Sequence, residues 1–237
     1  AAVVLLPSCA QDAEPDPDPV PEVPAEEITA QVQELDAIHE VMRPMWHDAW
    51  PAGDYEAIRE AVAEFGPLVD ALDAASLPGI LQDKQARWDE QKALLLETYQ
   101  GLQTAAEEGE NEEMMAMAEA FHMNYEGMVR IIRPVVPELD VFHQSLYGLY
   151  HYYGPGYDLE KIQAAADEMA AAVSPLMEAT LPARVADRQE EFDAAVIHLG
   201  DQVAHLLVAL EDPVQEEVME AIDSVHTAYQ AVEALFD

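Results

Sequence analysis

An all-α fold, a tandem duplication of an antiparallel four-helix-bundle unit, is what this sequence predicts, and three observations carry that prediction. Displaced by 104 positions without a gap, the chain aligns with itself: His39 falls on His143, His47 on His151, Pro51 on Pro155, Asp54 on Asp158, His122 on His226 and Tyr125 on Tyr229. From Glu34 to Arg133, roughly 28 of about 100 pairs are identical, several times the chance level. Alanine, glutamate, leucine and methionine abound, glycine is scarce, and no long Val/Ile/Thr alternation occurs, which favours helices over strands. Apolar residues recur at helical spacing between breaks that fall at matched places in the two copies.

The elements follow in order. A first helix is expected from about Glu27 to Ala49, with Leu35, Ile38, Met42 and Met45 on one face, stopping at Trp50-Pro51. Asp54, matched by Asp158, caps a second helix, because its carboxylate accepts from the orphan amides and suits the positive helix end. Ser76-Leu77-Pro78 and its counterpart Thr180-Leu181-Pro182 mark the next break, where a hydroxyl can cap and proline fits the first turn. A long third helix is expected from about Gly79 to Glu108 and a fourth from about Asn111 to Arg133, with Pro134 and Pro137 dividing the copies. The expected organisation is therefore residues 28–133 as the first helical repeat and 134–237 as the second. Short connections favour antiparallel neighbours; two separate bundles and one merged bundle both fit the pattern.

Ahead of the repeats, Ala1 to Leu6 is an apolar run ending in Leu6-Pro7-Ser8-Cys9. This resembles the lipobox of bacterial lipoproteins, which implies removal of residues 1–8 as a signal-peptide remnant and lipidation of Cys9, hence an exported protein, periplasmic or on the cell surface, anchored to a membrane by lipid alone. An ordinary secretory signal is the alternative. Residues 9–27 include Asp-Pro-Asp-Pro-Val-Pro-Glu-Val-Pro. Proline removes donors and the acids repel one another, so an extended linker is expected there.

The net charge of −38, from 48 acids against 10 Lys plus Arg, excludes nucleic acid as a partner and disfavours an anionic membrane face. Such a field attracts cations, but the acids are spread over nearly every segment, so solubility in a salty medium is the main account of the charge, with self-repulsion that keeps the protein monomeric beside it.

Three histidine pairs retained through a duplication invite a chemical reading. Counting at 1.5 Å per residue, His39 and His122 lie at similar depth, roughly 15 Å below the same end of the first and fourth helices, as do His143 and His226 in the second copy. The third helix brings Glu97, matched by Asp201, to that level, and the second brings Glu64, matched by Glu168. Acid and histidine also recur three apart, in Asp36/His39, Glu119/His122, Asp140/His143 and Asp223/His226, so each pair shares a helix face. One divalent transition-metal site per repeat is expected from this pattern, with His39, His122 and Glu97 in the first and His143, His226 and Asp201 in the second. Asp36, Glu119, Asp140, Asp223, Glu64 and Glu168 are secondary ligands or orienting acids. Imidazole with carboxylate suits Zn, Cu(II), Ni or Fe.

The set resembles the ligands of ferritin-like di-iron and di-manganese bundles, which implies di-metal redox chemistry as a minor alternative. Those bundles carry the acid-x-x-His pairs on the second and fourth helices, whereas here they fall on the first and fourth, and three of the four acids are Asp. The other alternative is an acidic helical interaction module of the cell envelope, binding an envelope protein partner, in which the histidines are structural. Trp46, His47 and Trp50, with Tyr150 and His151, would then line a rim pocket. No Cys-x-x-Cys-His occurs, which excludes attached c-type haem, and haem of any kind is disfavoured. Gly-rich phosphate loops, nucleophile elbows and His-Glu-x-x-His are absent, so no catalytic residue is assigned.

Overall fold

The computed structural model describes residues 20–236, and among them there is no strand. The lipobox-like segment, Cys9 and most of the expected linker lie outside the described residues. Helix α1 (Gln33–Pro44) passes without a break into a π-turn (Met45–Ala49) and one closing turn (Trp50–Ala52). Helices α2 (Tyr55–Ala74), α3 (Gln85–Glu108) and α4 (Asn111–Ile132) follow, with a 3-10 turn, Gly79–Lys84, leading into α3. Helix α5 (Pro137–Gly148) again runs into a π-turn (Leu149–Tyr153), and α6 (Leu159–Glu178), α7 (Gln189–Ala209) and α8 (Gln215–Glu233) follow, with a 3-10 turn, Ala183–Arg188, before α7. The two π-turns, and the 3-10 turns Gly79–Lys84 and Ala183–Arg188, stand at the same 104-residue offset as the sequence match; a last 3-10 turn, Ala234–Phe236, has no such counterpart.

Local chemistry explains most of these boundaries. The Asp54 carboxylate accepts from the Ala57 amide at 3.1 Å, and Asp158 accepts from Lys161 N–H at 3.2 Å. The π-turns follow Pro44 in one half and Gly148 in the other: proline cannot donate to the preceding turn and glycine holds a helix weakly, so the ladder widens there. The first half then closes on Gly53 in the left-handed region (φ +63), which glycine occupies freely. Its counterpart Tyr157 adopts φ 49, an uncommon conformation for a residue with a Cβ.

Helix α1 begins six residues later than the sequence suggests. Glu27 is held elsewhere: its backbone carbonyl accepts from Ile80 N–H at 2.8 Å, and its carboxylate accepts from the Tyr147 and Tyr152 hydroxyls at 2.9 and 2.5 Å. Those bonds set residues 20–31 across the molecule as a non-helical strap. Its first residues, expected as part of a free linker, lie against α5 and α6.

Within each half successive helices are neighbours, α1 also meets α4, and α8 meets the π-turn of α5. Buried apolar side chains form two cores. One gathers Leu35, Ile38, Phe65, Trp88, Leu95 and Phe121; the other gathers Phe142, Ile162, Phe192, Val196, Leu206 and Val225. At roughly 1.5–3 kcal/mol for each fully buried large side chain, these two clusters are the main stabilising contribution. The halves touch where the 3-10 turn Gly79–Lys84 meets α5, and Tyr147 buries into the first core from the second half. Gly79 is required for that approach, since a Cβ there would overlap the Tyr147 hydroxyl.

Candidate functional site

Each half carries one aromatic seam between its first and last helices. His39 on α1 stacks on Tyr125 of α4 (ring centroids 6.0 Å apart, planes 5° apart), and seven residues further on, in the π-turn, Trp46 stacks on His122 (4.0 Å, 8°). The second half repeats both contacts: His143 on Tyr229 (4.5 Å, 25°) and Tyr150 on His226 (3.9 Å, 12°). His39, His122, His143 and His226 therefore each face an aromatic ring on the opposite side of the seam, and these two imidazoles of a half sit at successive levels. The π-turn carries Trp46 and Tyr150, aiming them across at α4 and α8. A stacked aromatic pair contributes about 0.5–1.5 kcal/mol beyond the area it buries, enough for two such pairs to favour one helix register over its neighbours.

Burial holds His122, His226 and His151 below the ordinary imidazole pKa. His143 is pushed furthest, to about 4, by burial first, with Lys84, His226 and His151 adding to the shift and Glu233 opposing it. His122 also stands 3.9 Å from the Glu126 carboxylate, which pulls against the burial effect.

The acids expected around these imidazoles are dispersed. Glu97, Asp201, Glu64, Asp36, Glu119 and Asp223 are all exposed. Glu168, also exposed, accepts from the Ser145 hydroxyl at 2.9 Å, and half-buried Asp140 accepts from Gln144 at 3.1 Å. Among the described residues, no three His, Cys, Asp or Glu side chains are grouped so that they could hold a metal ion. The expected rim residues pack on one another: Trp46 lies 4.7 Å from Trp50, whose indole donates to Met115 O at 3.3 Å, and exposed His151 leans on Tyr147 and Tyr150 at 4.7 and 5.1 Å. His47 is exposed beside them, and its charge reaches His122.

Sequence reasoning left two groups unassigned. At the junction of the halves, Lys84 of the first pairs with Glu233 of the second at 3.1 Å, and Tyr229 donates to that same carboxylate. Burial works to raise Glu233, but Lys84 and His143 outweigh it and hold the carboxyl below its ordinary value; the Asp83 carboxyl, lying against Glu233, is pushed up to about 6 by burial and by that neighbour. Val129 stands where Glu233 would be in the first half, so His39 has no equivalent acid and stays exposed.

The second group is the seat of the strap. Lys161 on α6 donates to Val20 O at 2.9 Å, pairs with Glu22 at 2.8 Å and lies over the Tyr153 ring at 5.4 Å. Val20 lies over Gly156 and Val23 over Gly148. The strap walls a groove of about 780 Å³ between α5 and α6, floored by small residues such as Gly148, Ala165 and Ala172. Lys161 is unusual in a chain this poor in cations, and that rarity was the one signal available in the sequence.

No family model matches the chain, and neither a curated protein nor a solved structure matches it significantly.

Proposed function

We propose that the chain is an acidic, exported interaction module: a tandem pair of antiparallel four-helix bundles that receives extended polypeptide segments in the groove between the first two helices of a half. One observation carries this reading, the seating of the chain's own strap on α5 and α6 through the Lys161 bonds and the Glu27 carboxylate. Separate cores in the two halves and the matched element boundaries support the duplicated-bundle architecture. The seams support a structural role for His39, His122, His143 and His226, since each stacks on a position that is aromatic in both copies. Cys9 is the proposed lipid attachment point and the described residues the envelope-facing cargo; no helix among them is long and apolar enough to cross a membrane. Lys161→Ala combined with Glu27→Gln tests the seating. Cleavage after Glu22 or Glu26 by a glutamate-specific protease should accelerate at least about tenfold, because the Lys161 bonds are lost and the tyrosine hydroxyls keep only a neutral acceptor at position 27. Equal cleavage rates in the variant and the parent chain would sink the reading.

A second reading, binding of a divalent transition metal (Zn, Cu, Ni or Fe) through one histidine site per half, keeps one favourable observation. His143, His151 and His226 lie near enough for the other two to act on His143 electrostatically. Calorimetric titration with Zn²⁺ at about 0.15 M salt tests it. Heat that vanishes in His143→Ala plus His226→Ala supports a site, and heat unchanged by those substitutions assigns the binding to the acidic surface instead.

A further inference from the structure

The groove that the strap walls in the second half has a counterpart in the first. Between α1 and α2 lies a cavity of about 600 Å³, and its lining matches the second-half groove at the 104-residue offset: Glu40 with Gln144, Val41 with Ser145, Pro44 with Gly148, Ala57 with Lys161, Ala61 with Ala165 and Glu64 with Glu168. Its floor is apolar, formed by Met45, Ala49 and Ala61, which are buried, and by half-buried Val41 and Ala57. Among the described residues, its whole lining comes from α1, α2 and their connection, with no segment laid over it.

Charge separates the two grooves. In the second half the acidic strap finds Lys161, which binds both Val20 O and Glu22. In the first half Ala57 stands in that place, and the rim carries exposed Glu40, Asp48, Asp54, Glu60 and Glu64, with no Lys or Arg in the lining. The strap's own glutamates, and those of a second copy's strap, have the wrong sign for this rim. We infer that the groove between α1 and α2 is the docking site for an extended segment of a partner protein that places basic residues on either side of a small apolar side chain. The apolar residue enters above Val41, Met45 and Ala61, as Val23 does above Gly148, and the basic residues meet Glu60 and Glu64 on one side and Glu40 on the other. This assignment rests on the docking role proposed above and adds the partner's chemistry to it.

The probe is a fluorescent peptide with the sequence of residues 20–28 in which Glu22, Glu26 and Glu27 are replaced by lysine. Anisotropy with the full chain at about 0.15 M salt should show saturable one-to-one binding. Glu60→Lys plus Glu64→Lys should weaken it about tenfold or more, while Glu190→Lys plus Glu191→Lys, equal in charge change but placed at the start of α7, should leave it within about twofold. Ala57→Lys should exchange the preference, losing the basic peptide and gaining the unaltered acidic one. Equal weakening by the two double variants would reduce the binding to the overall field. Absence of saturable binding, or preference of the parent chain for the acidic peptide, would also overturn the assignment; the latter would make the occupant a second copy of this chain. Should Lys161→Ala with Glu27→Gln release the strap while the basic peptide is ignored, only the first-half assignment falls and the docking role stands.

Discussion

Replacing His143 by phenylalanine should flatten the acid side of the protein's stability profile. In the folded chain burial pushes this imidazole down to about 4, whereas in the unfolded chain it titrates near 6.5. Above pH 6.5 both states are neutral and the full contribution is present. As pH falls, the unfolded chain takes up a proton that the folded chain refuses, so stability declines by about 1.4 kcal/mol per pH unit until the folded value is reached. From pH 7.5 to 5.0 the loss works out at about 2 kcal/mol, approaching about 3 by pH 4. Phenylalanine keeps the stack on Tyr229 and removes the titration. Asp83, raised to about 6, acts with the opposite sign, because the folded chain then binds its proton before the unfolded chain does; it is present in both proteins, and only its coupling to His143 through Glu233 differs between them. Urea unfolding at the two pH values is the assay. At a slope of about 2 kcal/mol per M, the parent midpoint should fall by about 1 M more than that of the variant. Equal falls would refute the buried, neutral imidazole on which the structural account of the seam depends.

Other outcomes follow from particular contacts. Trp88→Phe should change stability by less than about 1 kcal/mol in thermal unfolding, since the buried indole N–H has no hydrogen-bond partner among the described residues and the matched position in the second core is already Phe192. Asp54→Ala and Asp158→Ala should each cost about 1 kcal/mol through the lost helix cap, and additively, because the caps lie in different halves. Gly79→Ala should cost about 1–3 kcal/mol and raise proteolysis of the strap, because the new methyl displaces Tyr147 from Glu27; Ala183→Gly at the matched turn should cost less than about 1 kcal/mol and leave the strap intact.

Much of the fold was legible because local signals and the duplication agree. Asp54 and Asp158 cap the helices they were expected to cap, and the breaks at Pro78 and Pro182 fall where proline removes a donor. The start of α1 was not legible: Glu27 has good helix propensity, but its carboxylate is taken by Tyr147 and Tyr152, about 120 residues away, and tertiary bonds override local preference. The π-turns were also hidden, since Pro44 and Gly148 weaken a helix by different means and share no sequence signature. For the site, the retained histidines drew attention to the first and last helices of each half, where the ring stacks lie. What they face was carried by Tyr125/Tyr229, noted as an identity, and by Trp46/Tyr150, in which only aromatic character persists. Counting residues along ideal helices put the two imidazoles of a half at one depth; the structure sets each opposite an aromatic at its own level. The groove was invisible because its floor is made of small residues, and only the substitution of Ala57 by Lys161 between copies marks it.

Docking of an extended segment between the first two helices of a half is tested most directly by nuclear Overhauser contacts in the intact chain. Seating of the strap gives cross-peaks from the Val20 methyls to Gly156 and from the Val23 methyls to Gly148, all abolished by Lys161→Ala with Glu27→Gln. Random-coil valine shifts without those cross-peaks in the parent chain would contradict it.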